Sequence, residues 1–335
     1  MRQKAPELKE AVQQLAQGNV REAINNLNRQ GRVHEVPGHE ERISAIAKEY
    51  AKSPEDTLVV SPDNRSRMEI NERIHAELQG KGPVSGEEHP IRALVPRQEL
   101  TGADRTWAAK YEAGDILRYS RASRETGIGK GHYAHVRCID AASNRLTVRL
   151  QDGSDRTYDP RRQRGVSVYR EEMRRFSAGD RIQFTAPAND LKIANRELGT
   201  IAGIDEAGRL SLKMDSGRSL QVDPNKHPHL DYGYAMTSHS SQGQTASRVL
   251  IHVDTELPAK DLLNSRMAYV SVSRGAHDAQ LFTNDREKLS TVLGHDISKR
   301  TASSPVISTG QTIVPQQEIS KAPQQEHGMG LGLGF

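Results

Sequence analysis

Cysteine is almost missing from this sequence. Its 335 residues hold one, Cys138, so no disulfide can form within the chain, and a reducing, cytoplasmic location is expected. Aromatic residues make up 4% and the apolar classes together 35%, with a mean hydropathy of −0.72. Cores of modest size follow from that composition. No apolar run approaches the roughly 18 residues a membrane-spanning helix needs. No charged segment followed by an apolar one opens the chain in the manner of a secretory signal. A G-x-x-x-x-G-K-[ST] phosphate loop is also lacking, as is an acidic pair after an apolar strand. The nearest glycine cluster, GIGKGHY (127–133), has neither the spacing nor the hydroxyl that would hold Mg²⁺, and reads as a turn. His227 and His229 form the tightest histidine pair; with no third ligand in reach they read as a proline-flanked loop, and no metal site is expected.

What is present begins with helices. Leu8, Val12, Leu15 and Ala16 share one face of a segment that opens at Pro6 and stops at Gly18. Val20, Ala23, Ile24 and Leu27 repeat the pattern up to Gly31. A short strand at 32–36, a helix at 39–52, a β-branched strand at 57–62 and a helix at 64–80 follow. That alternation predicts an α/β fold with parallel strands. The pattern returns after 231: a strand leading into a polar loop, a strand at 248–254, a helix at 259–269, a strand at 269–273, a strand at 279–285 and a helix at 285–294. Residues 1–80 and 231–295 are therefore expected to form one α/β domain, and 296–335, rich in Ser, Thr, Gln, Pro and Gly, a disordered tail.

The stretch between is β-rich and internally repeated. YEAGDILRY (111–119) matches FSAGDRIQF (176–184), and NRLTVRLQDGSDRTYDP (144–160) matches GRLSLKMDSGRSLQVDP (208–224). Spacing is kept along with residue type. Two copies of a small SH3-like barrel are expected, at 91–165 and 166–230. Residues 92–181 carry 17 Arg and 2 Lys against 12 acidic residues, a surplus of seven charges that exceeds the +4 of the whole chain. Arg161 and Arg162 lie in its densest run. Such a surface suits a nucleic-acid backbone, although an arginine run is also an ordinary solvated face. Tyr119, Tyr133, Tyr158 and Tyr169 are expected to serve mainly as barrel core and rim.

Two segments concentrate chemistry. TSHSSQGQT (237–245) is a loop dense in hydroxyls and amides, each needing a hydrogen-bond partner. Phosphates or bases could supply them, and so could a self-satisfying turn. Gly243 would let the backbone approach a ligand. In YVSVSRG (269–275) an apolar strand is expected to deliver Arg274 to its carboxyl end, where open α/β sheets bind ligands. Arginine suits a phosphoryl oxygen there; a surface ion pair is the plainer alternative.

TSHSSQGQT followed by a strand and then YVSVSRG resembles motifs V and VI of superfamily 1 helicases of the RecD-like branch. The opening Arg2-Gln3 and APELKEAVQQLAQGN resemble the motif IV region. The likeness is to conjugative relaxase–helicases of the TraI/TrwC type, over about residues 1–295. It implies a RecA-like second helicase domain carrying the inserted barrels. It implies that Arg274 and Arg2 contact the γ-phosphate, that Gln3, Gln242, Gly243 and Thr245 lie at the nucleotide, and that Thr237 and His239 touch single-stranded DNA. ATP with Mg²⁺ is then expected only in a complete helicase and none on this chain alone. The partners implied are single-stranded DNA and the N-terminal RecA-like and relaxase domains that this sequence does not contain, with no membrane. A non-enzymatic DNA- or protein-binding module on a helicase-like fold is the alternative.

Overall fold

The computed structural model describes residues 3–97, 100–238, 240–241, 243–257 and 260–295. Helices α1 (Pro6–Ala16) and α2 (Val20–Arg29) form a hairpin that buries Leu8, Val12 and Leu15 of one helix and Val20, Ile24 and Leu27 of the other. Gly18 lies between them at φ +82, a conformation that a residue with a Cβ resists. Then come β1 (Val33–Glu35), α3 (His39–Tyr50), β2 (Thr57–Ser61) and α4 (Asn64–Lys81). The Asp63 side chain caps α4 by accepting from the Ser66 amide at 2.8 Å. All five residues of β2 are buried, as befits a strand covered on both faces.

The chain then forms two antiparallel sheets. The first holds β3 (His89–Pro96), β4 (Ile116–Tyr119), β5 (Tyr133–Asp140), β6 (Arg145–Leu150), β7 (Asp155–Tyr158) and β8 (Val166–Phe176), in the order β3-β8-β4-β5-β6-β7. The second holds β9 (Arg181–Phe184), β10 (Leu198–Ile204), β11 (Leu210–Met214), β12 (Ser219–Val222) and β13 (Leu230–Tyr232), in the order β12-β11-β10-β9-β13. The repeat extends to backbone detail. Strands β4–β7 recur as β9–β12, and the bulge between Val136 and Cys138 recurs between Ile201 and Gly203. Gly114 and Gly179 have φ of +94 and +95 at matching turns. Strand β8 bonds to both β3 and β4, so hydrogen bonding of the first sheet runs past the expected 165/166 boundary. One continuous strand lies between β3 and β4 in that sheet and then leads into the second copy.

Strands β14 (Ala235–Thr237), β15 (Ala246–Val253) and β16 (Gly275–Thr283), with helices α5 (Ser265–Val272) and α6 (Arg286–Leu293), complete the α/β part. The sheet is parallel throughout, in the order β1-β16-β15-β2-β14. Side-chain alternation sorts its two faces. Val59 and Leu250 pack with Ile46, Ile70 and Ile74 of α3 and α4. Leu58, Val60, Val249 and Ile251 pack with α1, α2, α5 and α6. Each fully buried Val or Ile contributes about 1.5–3 kcal/mol. Chain segments from both ends of the sequence thus share one sheet, and the Asn71 side chain on α4 accepts from the Ala235 amide at 2.7 Å where the chain returns to it.

One expected strand is a helix. Residues 269–273 alternate as YVSVS, yet 265–272 are helical. The Asn264 side chain caps that helix through the Met267 amide, and Met267, Ala268, Ser271 and Val272 are its buried set. The spacing of one, three and one is that of a helix face; alternating Val and Ser imitate a strand only over four residues.

Candidate functional site

Because α5 replaces the expected strand, Arg274 does not follow a strand. It precedes one. β16 starts at Gly275, so Arg274 stands at the amino-terminal edge of the parallel sheet rather than the carboxyl edge. Its Nε donates to Val270 O at 2.9 Å, Nη1 to Gln244 O at 3.2 Å and Nη2 to Ser273 Oγ at 3.0 Å. The Ala246 amide in turn donates to Arg274 O at 3.1 Å. From the other end of the sequence, Gln3 Nε2 donates to Ser273 O at 2.9 Å and to Gly275 O at 3.4 Å, while the Lys4 amide donates to Ala276 O at 2.7 Å. Three segments distant in sequence, at 3–4, 244–246 and 273–276, are joined here. Gly275 is required: a Cβ would lie 2.1 Å from Asp278 O.

A cleft of about 1070 Å³ opens beside this edge. Lys4, Thr245 and His277 line it, together with Arg181 and Thr200 of the second antiparallel sheet. Glu55 and Asp56 add negative charge to its lining. The cleft therefore offers both cations and carboxylates, with hydroxyls between them.

The loop after β14 runs the length of the sheet. Thr237 pairs in register with Ser61 at the carboxyl ends of β14 and β2, whereas Thr245 directly precedes β15 at the opposite edge. Within the loop, Thr237 Oγ1 donates to Ser240 Oγ at 3.0 Å and accepts from the Ser240 amide at 3.3 Å. The Ser241 amide donates to Thr237 O, its hydroxyl donates to Ser238 O, and the Gln244 amide donates to Ser241 O. These hydroxyls satisfy one another, as a self-contained turn would. Gly243 has φ +93, open space around it, and is exposed, as is Thr245. Arg2, His239 and Gln242 lie outside the described residues, as does the expected tail at 296–335.

Arg161 and Arg162 are exposed in the first antiparallel sheet, on a short 3₁₀ turn at Pro160–Arg162. Arg161 pairs with Asp159, whose carboxyl it holds down to about 2. Arg162 pairs with Glu125 at 2.9 Å. Tyr119 and Tyr158 are core residues joined hydroxyl to hydroxyl at 2.8 Å. Tyr169 is also buried, and the Tyr133 hydroxyl meets His229 Nε2 at 2.7 Å. GIGKGHY is a turn, with Gly127 and Gly131 at positive φ. Among the described residues no group of three or more His, Cys, Asp or Glu could hold a metal ion, and no helix is long and apolar enough to cross a membrane.

Sequence reasoning missed a buried polar cluster at the carboxyl edge of the sheet. Arg42, 1% exposed, donates to His252 Nε2 at 3.2 Å, to Val36 O and Pro37 O, and to Asp254 at 2.8 Å. Burial, then the neighbouring Arg42 charge, pushes the His252 pKa down to about 4. No local signal marks Arg42, which looks like one more polar residue on an amphipathic helix. Trp107, half exposed, was also missed.

No protein-family model matches the chain. The multifunctional conjugation protein TraI of Escherichia coli K12 is 24% identical over 270 residues, which are 77% of this chain and 15% of TraI. The conjugal transfer protein TraA of Rhizobium radiobacter is 32% identical over 116 residues, 34% of this chain and 10% of TraA. The chain thus spans about a seventh of the length of the TraI it matches. Among solved structures, one of two coordinating Pif1 helicases at forked double-stranded DNA aligns with 90% of this chain and 52% of its own, at TM-score 0.44 and 12% identity. A Pif1 helicase from Candida albicans aligns with 90% of this chain and 58% of its own, at TM-score 0.33 and 14% identity.

Proposed function

We propose that this chain, whose homologues are the TraI and TraA conjugative relaxase–helicases, acts as the second RecA-like half of a superfamily 1 DNA helicase. In this reading it binds single-stranded DNA and supplies the arginine side of an ATP cleft. The observation that carries the reading is the junction of Gln3, Gln244 and Arg274 at one sheet edge. The segments that resemble motifs IV, V and VI are far apart in sequence, and a shared nucleotide gives them a reason to meet.

The chemistry follows from the guanidinium. Carbonyl oxygens of Val270 and Gln244 orient Arg274 and with it the positive charge of its guanidinium. That charge can then offset the negative charge spread over a transferring phosphoryl group. Gln3 grips the carbonyls on either side of Arg274 and so fixes its backbone. Arg2 has the same phosphate role in this reading, with Gln242, Gly243 and Thr245 at the nucleotide and Thr237 and His239 on DNA. Because Thr237 and Thr245 stand at opposite edges of the sheet, one loop touches both ligands. ATP with Mg²⁺ is held only once a Walker-containing first domain closes the cleft. The two antiparallel sheets act as inserted SH3-like barrels, with Arg161 and Arg162 on DNA phosphates.

Mixing the pure chain with a Walker-containing first RecA-like domain tests this. The chain alone should hydrolyse no ATP, and the mixture should hydrolyse it in a DNA-stimulated manner. Robust turnover by the chain alone, or equal turnover with Arg274→Ala in the mixture, overturns the reading. The lack of G-x-x-x-x-G-K-[ST] in the sequence favours a second reading, a non-enzymatic DNA- or protein-binding module. Oligonucleotide binding with a steep salt dependence but no ATPase in any mixture selects it.

A further inference from the structure

The chain holds one tryptophan, and it is not in a core. Trp107 is 52% exposed, between two 3₁₀ turns at Asp104–Thr106 and Ala108–Lys110. The loop that presents it is tightly held. The Trp107 amide donates to Asp104 O, and its carbonyl accepts from the Lys110 amide. Asp104 accepts from the Thr101 amide and hydroxyl. Arg105 donates to Leu100 O and Val166 O, and the Tyr111 hydroxyl donates to Arg105 O at 2.8 Å.

The central clamp is Asn144, 7% exposed and at φ +51. Its Oδ1 accepts from the Ala108 amide at 2.7 Å, and its Nδ2 donates to Thr106 O at 3.1 Å. Both peptides flanking the indole are thereby fixed. The same Nδ2 donates to Asp159 Oδ1 at 2.9 Å, and Asp159 accepts from Arg161 through its amide and Nε, each at 2.9 Å. One asparagine and one aspartate thus tie the backbone on both sides of an exposed indole to the carboxylate that holds an exposed guanidinium.

The repeat shows that the barrel does not need this device. The second copy runs straight along β8 into Phe176 and FSAGD, whereas the first reaches Tyr111 and YEAGD through the two stapled turns. The extra segment adds an exposed aromatic to the most basic part of the chain, where 92–181 carry a surplus of seven positive charges.

We propose that Trp107 and Arg161 form a contact for single-stranded nucleic acid, a base stacking on the indole while the guanidinium faces the neighbouring phosphate. This rests on the DNA-binding reading given above and names a place for it that the helicase motifs do not include. A polyanion fits the charge surplus, and stacking tolerates any base because every base has a π face. A backbone already held on both sides of the indole loses little freedom on binding.

The single tryptophan makes the test direct. The full chain is titrated with a short oligothymidylate at low ionic strength, following indole emission and, separately, the anisotropy of a labelled oligonucleotide. Binding should quench the emission. Trp107→Ala should weaken binding roughly 5- to 100-fold, and Trp107→Phe, which keeps a ring, should weaken it less. Circular dichroism of each variant checks that it is folded. Tight binding with unchanged emission, and equal affinity of Trp107→Ala, overturns the proposal, leaves the DNA reading intact and turns the indole toward a protein surface. No binding by the unaltered chain sinks both.

Discussion

Arg274 Nη1 and Gln244 O lie 3.2 Å apart, tying the turn that opens β16 to the loop that opens β15. That bond sets the guanidinium against the loop backbone. It makes Arg274 both a support of the sheet edge and the group on which the proposed ATP cleft depends.

Arg274→Ala separates the two roles. Loss of the carbonyl bonds should cost about 1–3 kcal/mol of stability, read by urea unfolding. ATPase of the mixture with a Walker-containing domain should fall far more, roughly 10³-fold. Arg274→Lys should restore stability better than turnover, since an ammonium lacks the planar fork.

Gly275→Ala probes the same edge through sterics. A Cβ placed 2.1 Å from Asp278 O clashes within β16 itself and forces the irregular start of that strand, opposite Ala246–Arg248 of β15, to shift. A loss of about 1–3 kcal/mol is expected. Calorimetric melting should show a lowered midpoint with the oligonucleotide affinity little changed.

Acid should weaken the fold through two buried histidines. Burial, with Arg42 beside one and Arg118 and His227 beside the other, holds His252 and His229 near a pKa of about 4. In the unfolded chain each takes a proton below about 6.5. Their stabilising contribution is therefore whole above 6.5 and is lost as pH falls toward 4, at about 1.4 kcal/mol per pH unit for each group. Melting between pH 4 and 7 should slope accordingly, and His229→Phe should flatten the slope.

His75 on α4 works in the opposite sense. Burial alone would lower its pKa, but the hydrogen bond and charge of Asp180, with Glu88, hold it above the ordinary value. Its contribution is present below about 6.5 and disappears as pH rises through the folded value. Asp180, fully buried, also accepts from the Ser177 amide and the Tyr234 hydroxyl. Asp180→Asn should cost about 3–5 kcal/mol by taking away the nearer carboxylate and leaving His75 only Glu88, and should shrink that alkaline loss, as read from melting between pH 6 and 9.

Charge reversal at Arg161 and Arg162 tests the basic insert. Both are exposed, one paired with the partly buried Asp159 and the other with the exposed Glu125, so folding should survive. Oligonucleotide affinity should drop, and the log–log salt slope should shrink by about 1.4 if both touch single-strand phosphates. Unaltered affinity and slope remove the insert from the DNA path.

Much of the architecture is legible in short stretches of residues. Leu8, Val12 and Leu15 announce α1, and TLVVS announces a strand buried on both faces. The YEAGD and FSAGD copies announce a repeated unit, since matching side-chain alternation and glycine turns oblige matching backbones. Where a local pattern serves two periods, it misleads: YVSVS satisfies a strand rule, and Asn264 with the packing of Met267 against the sheet makes it a helix.

Spacing along the chain thus suffices for which residues turn, which alternate and which face inward, because those properties depend on near neighbours. It is silent on the partner of Gln3, 270 residues away at Ser273, on the edge of the sheet to which Arg274 belongs, and on the Asn144 clamp behind Trp107. Those follow from the parallel pairing of β1 and β2 with β15 and β16 and from loop closure around the first antiparallel sheet. Long-range hydrogen bonds leave no periodicity in the residues that make them, so they become visible when the strands are side by side.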